Sequence, residues 1–349
     1  MLLALATQQV CAQDSTFRGF QDSTYYRTQD GFLTGRFYFG NKYSMFDMVP
    51  IGNKDKTISY RPNTPTTMGI GGTYQWLTIN LAFGFKFLNQ YKSDRGETNY
   101  LDLQTHLYGR RSIVDFNTQF YKGFYLKPTK ILAPPYYLRP DIGITQVGLN
   151  YEHIFNWRRF SFRASMLQSE RQLKSAGSPL VGISLHYLIT SGDSSFIPGF
   201  DSYDSLQPVS RLRNVDFGPS AGYAYTVVMA KRVFITGAIT GQININFAKG
   251  EHNEIANTQT TVNPNVVGRV AMGYQHPKWS IAATWVNQNL TTKAPTFKYN
   301  VRAGQVRLAF AYRFIPGSKL KKFLRPVDHA TEKVINKMKA KFAAMPLTK

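Results

Sequence analysis

The residues best suited to covalent chemistry are Ser184, Ser165 and His186, because a serine beside a histidine can act as a nucleophile. A tight turn at Trp157–Arg158 would set Glu152 opposite Arg163 and Asn150 opposite Ser165. Symmetric closure of the loop between Glu170 and Pro179 would then set Arg163 opposite His186 and Ser165 opposite Ser184. Glu152, Arg163 and His186 form one row under this register, with Asn150, Ser165 and Ser184 in the next. One reading is an acyl-ester hydrolase built on a strand wall. Such a site works where the acyl chain lies, however, and this row faces the interior. The other reading is a polar row that fills a water-facing interior by cross-strand pairing. The row is taken as structural, with no catalytic residue. No Gly-rich phosphate loop, Gly-x-Ser-x-Gly elbow or His-Glu-x-x-His occurs, and the six His are scattered, so neither metal nor cofactor is expected.

The elements that would position these residues are strands. From Val301 to Phe314, Val306, Leu308, Phe310, Tyr312 and Phe314 share one face, and Gln305, Arg307, Ala309, Ala311 and Arg313 share the other. Val233–Phe247 alternates in the same way. These runs are longer than a soluble sandwich needs and reach the roughly 9–11 residues of a membrane-crossing strand. The predicted fold is all-β, a transmembrane antiparallel up-and-down barrel with apolar residues toward lipid and polar residues toward the lumen. The closing Tyr312-x-Phe314 looks like the terminal signal that outer-membrane barrels present to the barrel-insertion machinery. Thirteen alternating segments are legible, among them 142–156, 159–170, 179–190 and 214–229. An odd number conflicts with the even count usual for such barrels. The expectation is about fourteen strands, with the missed one in Ser191–Arg213. Twelve is the alternative, if one segment is false. Arg36, Arg163, Arg269, Arg307 and Arg313 fall on the lumen side, where a ring of arginines would favour anionic solutes in an open pore.

Four tight turns are basic: Gly109–Ser112, Asn156–Arg159, Ala230–Arg232 and His276–Lys278. Trp76, Trp157 and Trp279 lie in or beside turns of this kind and, with Tyr312 and Phe314, are expected in an interfacial girdle. These turns are placed on the periplasmic side. The chain has 349 residues and a net charge of +22, but its basic residues are dispersed over turns, strands and the tail, which argues against a nucleic-acid partner.

Residues 1–12 read as an export signal shortened at its start, and 13–31 as a polar periplasmic segment. The single Cys, Cys11, would be lost with the signal. The barrel spans 32–314. Residues 315–349 form a basic amphipathic periplasmic tail, with Pro326 placed to start a helix and Val334, Ile335, Met338 and Phe342 on one face. Outer-membrane lipids are the expected surroundings, and a periplasmic protein could bind through 319–342.

The segment Tyr60-Arg61-Pro62-Asn63-Thr64-Pro65, followed by Gly69-Ile70-Gly71, resembles an uncharacterised family of Bacteroidetes-type outer-membrane barrels, the domain of unknown function four-four-two-one. Lys174-Ser175-x-Gly177-Ser178 is similar to a second motif of that family. The resemblance implies an exported barrel of unassigned activity and supplies no catalytic residues. Three functions stay open: a non-enzymatic pore or scaffold, which is favoured; the hydrolase; and a secretion or envelope-assembly component using the basic tail.

Overall fold

Long alternation leaves the backbone one arrangement that satisfies both faces, a strand paired at its edges with one side toward an apolar medium. A computed structural model adopts it. The structure describes residues 21–29, 31–75, 77–85, 93–127, 136–198, 207–253, 255–294, 296–322 and 324–329. In chain order the strands are β1 (Tyr26–Thr28), β2 (Leu33–Pro50), β3 (Ile58–Arg61), β4 (Thr67–Tyr74), β5 (Leu77–Gly84), β6 (Asn99–Tyr108), β7 (Ser112–Leu126), β8 (Leu138–Ile154), β9 (Glu170–Gln172), β10 (Ala176–Ser191), β11 (Arg211–Met229), β12 (Val233–His252), β13 (Ile255–Gln275), β14 (Trp279–Lys293) and β15 (Phe297–Phe314).

All pairings are antiparallel. One path runs from β7 through β8 and β10 to β15, and β15 closes on β2 from Phe297↔Pro50 to Phe314↔Leu33. The short β3 bridges β2 and β7 at one end. Further along the wall, β4 and β5 extend from β2, and β6 extends from β7. Among the described residues no strand pairing joins β5 to β6. Leaving aside β1, β9 and the bridging β3, the wall has twelve strands among the described residues.

This is the lower of the two expected counts, and the alternating segment that is not a wall strand is 159–170. There the chain leaves the wall and enters the interior, where every residue from Phe160 to Glu170 is buried. A wall strand would bury only alternate residues. The segment forms a short π-helical turn, Arg163–Leu167, followed by β9. Ser191–Arg213 holds no extra barrel strand among the described residues. With β10 and β11 alone between them, the Trp157 and Lys231 turns fall at the same end of the barrel.

Tight connections cluster at that end, at 109–111, 230–232 and 276–278, together with the start of β2 and the end of β15. Ala230 and Lys231 both take positive φ, 48° and 58°, as a two-residue hairpin of this twist requires. The wall is apolar outside and polar inside. On β15, Leu308 is 49% exposed and Phe310 45%, whereas Arg313 is 2% exposed. On β12, Ile239 and Ile243 are exposed, and Thr240 and Asn244, each next to one of them, are fully buried.

The interior has three layers. At the tight-turn end, Trp157, Phe160, Phe162, Met166 and Leu167 of the inserted segment pack on inward wall residues such as Ile113, Phe234 and Ala271. At the opposite end Phe46, Tyr60, Phe124, Phe196, Phe297 and Tyr299 form a second apolar cluster. Polar side chains lie between them. Gly123, at φ +94°, sits in the β7 irregularity, where an added Cβ would lie 2.2 Å from the Glu97 carbonyl oxygen.

At both ends of the chain the described residues fold back on the barrel. The N-terminal segment, where it is described, packs on the inserted segment: β1 pairs with β9, and Tyr26 is buried. After Phe314, helical residues begin at 318, ahead of Pro326. Asp328 of this helix accepts hydrogen bonds from the Tyr74 hydroxyl and the Gln75 side chain at the β4–β5 turn. Residues 1–12, Trp76 and the apolar positions Val334, Ile335, Met338 and Phe342 lie outside the described residues.

Candidate functional site

The inserted segment is a plug, and arginines clamp it. Arg36 of β2 donates from Nη1 to the Leu167 carbonyl at 2.9 Å. Arg313 of β15 donates from Nε and Nη2 to the Gln168 carbonyl at 3.0 and 2.6 Å, and from Nη1 to the His276 carbonyl at 3.0 Å. Its guanidinium also bonds Ser280. A carbonyl at the end of a helical turn lacks an intrahelical partner, and guanidinium donors match that need. From the plug, Arg163 reaches outward and donates to the Gln75 carbonyl at 2.5 Å. Glu170 accepts from Ser161 at 2.5 Å and lies 3.8 Å from both Arg110 and Arg163. Outside the barrel wall, the Thr24 hydroxyl and amide hold the Asp22 carboxyl below its ordinary range.

Arg163 therefore does not pair with Glu152. The proposed row assumed that the wall continued past Arg159, and that assumption fails. Glu152 instead shares Arg269 with Asp115: Arg269 Nη1 lies 3.0 Å from Glu152 Oε2, and Nη2 lies 2.6 Å from Asp115 Oδ2. Arg269 is fully buried, as a guanidinium can be when two carboxylates meet its planar fork. Asp115 also meets His106 Nδ1 at 2.7 Å, and Gln305 reaches the other ring nitrogen at 2.7 Å. Asp115 and His106 were missed by sequence reasoning. Their signal was a charge on the inward face of β7, in line with Asn117 and Gln119, and a histidine opposite it on β6.

His186 belongs to a neighbouring amide network. Gln288 donates to its Nε2 at 2.9 Å, with Asn150 Oδ1 3.2 Å from the same nitrogen. Gln242 donates to Asn150 at 2.8 Å. The imidazole lies against Gly148, where a Cβ would be 2.4 Å from Nδ1. Asn150 and Ser184 are cross-strand neighbours, but Glu152 faces Gly182 and not His186. Ser184 bonds Asn244 at 3.1 Å, and Ser165 bonds the Phe162 carbonyl at 3.3 Å within the plug. No hydrogen bond between His186 and either serine is present among the described residues.

The lumen arginines do not form one ring. Arg36 and Arg313 hold the plug, Arg269 centres the ion cluster, and Arg307 stacks on Tyr38 at 4.6 Å. The girdle residues also divide. Trp279 stacks with His276 and Phe310 at the tight-turn end, near exposed Tyr312 and Phe314. Trp157 is buried in the plug layer with Arg111 4.3 Å over its ring, so it is not a girdle residue.

The two sequence motifs sit at opposite ends of the interior. Tyr60 bonds the Phe196 carbonyl at 2.8 Å, and past Pro62 Asn63 bonds the Gly96 carbonyl at 2.7 Å, so this segment caps the far end. Gly69 and Gly71 pair with Tyr38 and Arg36, leaving room for those long side chains. Lys174 lies over the Tyr25 ring at 5.4 Å. Ser175 accepts from the Val228 amide at 2.9 Å, Ser178 from the Asn156 amide at 2.9 Å, and the Gly177 carbonyl from Asn156 Nδ2 at 2.7 Å. The second motif thus fastens the plug where it rejoins the wall.

Structural likeness to solved proteins is at the level of the barrel fold. The outer membrane protease OmpT from Escherichia coli has a TM-score of 0.38 at 8% identity, covering 82% of this chain and 98% of that one. The translocator domain of the autotransporter NalP from Neisseria meningitidis has a TM-score of 0.34 at 8% identity, covering 90% and 97%. An outer membrane channel from Pseudomonas putida F1 has a TM-score of 0.30 at 8% identity, covering 84% and 99%. Among curated proteins, none matches the sequence. The model of one family, the domain of unknown function DUF4421, matches residues 21–314, and the chain belongs to that family.

Proposed function

We propose that this protein is a non-enzymatic outer-membrane barrel that its own plug keeps from conducting, and that it serves as an envelope scaffold with a folded periplasmic face. The exposed apolar belt supports the membrane placement, because a water-soluble chain does not leave so continuous a band uncovered. The observation that carries the rest is the clamp of Arg36 and Arg313 on the plug carbonyls. An open pore would leave those guanidinium groups to water and solute, whereas here they fix backbone across the lumen. On the periplasmic side the N-terminal segment, the plug and the start of the basic tail meet in one folded surface, which suits a protein partner better than a channel mouth. The hydrolase reading finds no serine activated by His186.

Planar-bilayer recording tests this. Purified protein is expected to insert without steady conductance, and the Arg36→Met, Arg313→Met double variant is expected to show opening events as the plug loosens. Steady conductance of the unaltered protein would overturn the reading in favour of a pore.

A further inference from the structure

The edges of β5 and β6 line one cavity, and among the described residues no strand pairing joins them. In lipid such edges are costly, because hydrocarbon offers no partner for backbone N–H and C=O groups. The interior behind them is correspondingly open. On paired strands the inward residues are buried, as with Thr240 and Asn244. On β5 the inward Asn80 and Ala82 are exposed, alternating with exposed Ile79, Leu81 and Phe83. Asn80 is known to point inward because Arg36 donates to it at 3.3 Å.

A cavity of about 280 Å³ opens at this seam. Ile79 and Leu107 flank its mouth, Met166 and Leu167 of the plug form an apolar wall, and Arg307 lies deeper. Arg307 stacks on Tyr38 and donates to Gln305 at 3.1 Å. Among the described residues no carboxylate forms an ion pair with it. Arg36, on the adjoining β2, is a second inward-facing positive charge near it, so the local field is positive. The site therefore offers an apolar slot open to the bilayer, hydrogen-bonding groups along the slot, and a guanidinium at its inner end.

We propose that the β5–β6 seam is a lateral binding site for a single-chain acidic amphiphile, a carboxylate on an alkyl chain, with the carboxylate on Arg307 and the chain lying out through the seam. A carboxylate matches the guanidinium fork. The chain replaces lipid at Ile79, Leu81 and Leu107. A doubly acylated lipid has too broad a body for a slot of this volume, and a small soluble anion would gain nothing from the apolar mouth. The proposal needs the membrane placement inferred above but not the closed lumen.

The test uses the full chain in phosphatidylcholine nanodiscs with the fluorescent fatty acid cis-parinaric acid, read by energy transfer from tryptophan. Saturable transfer is expected, displaced by oleate and at least tenfold less well by methyl oleate. Arg307→Gln is expected to weaken binding at least tenfold. Thr105→Trp, which narrows the mouth without touching the guanidinium, should weaken it similarly. Both variants are checked for the heat-modifiable migration of a folded barrel. Absence of a saturable component, equal displacement by the ester, or unchanged binding in both folded variants would overturn the site. A conducting protein that still binds the acid would remove the scaffold reading and leave the seam site standing.

Discussion

Arg269 holds two buried carboxylates, Glu152 and Asp115, so its removal strikes two charges at once. Arg269→Met leaves Glu152 and Asp115 buried and repelling one another, and is expected to cost about 3–5 kcal/mol, measured by urea unfolding in lipid vesicles. Adding Glu152→Gln and Asp115→Asn should restore most of that loss, since neutral amides carry no ion desolvation penalty. Gly148→Ala is expected to cost about 1–3 kcal/mol by pushing the His186 ring off Gln288. Combined with His186→Ala it should cost less than the sum, because the clash disappears with the ring. The inward position of Arg269 was legible from alternation alone. Its partners were not, because Asp115 and Glu152 come from strands whose distance across the lumen depends on strand number and stagger.

At the scale of elements, the plug is where sequence reasoning failed, and the cause is physical. Phe160, Phe162 and Ala164 alternate with Ser161, Arg163 and Ser165 as a wall strand would. The difference is that both sets are buried, one against apolar side chains and the other against carbonyls and Glu170. A hydropathy pattern records polarity and does not record whether a polar residue meets water or a protein group. The odd count of alternating segments was the available clue. The latch gives the prediction at this scale. Ser178→Ala leaves the Asn156 amide without its acceptor and is expected to cost about 1–3 kcal/mol. The loss should appear as faster protease cleavage near Trp157, with the wall itself still resisting digestion.

For the whole molecule, strand direction assigns Lys231 and Asn253 to opposite ends, because they cap the two ends of β12. Short epitope tags at these positions are expected to differ on intact cells, with the Asn253 tag labelled by an impermeant reagent and the Lys231 tag hidden. Labelling at Lys231 would invert the barrel. The barrel was readable because an apolar exterior and polar interior impose period-two alternation on every wall strand. The β5–β6 seam was not readable. Leu77–Gly84 alternates as well as its neighbours do, and an absent partner leaves no mark on a strand's own pattern.

The clamp has a consequence for how the chain is assembled. Arg36 and Arg313 lie on the first and last wall strands, which pair only when the ring closes, and they grip the consecutive carbonyls of Leu167 and Gln168. A plug already seated would act as a gauge for that joint. If β15 slipped by one residue against β2, Arg313 would turn toward lipid and Phe314 inward, and the Gln168 carbonyl would lose its donors. The middle of the chain thus proofreads the meeting of its two ends. Replacing the plug with a glycine-serine linker is expected to slow the final closure step in refolding and to yield a fraction of barrels closed out of register.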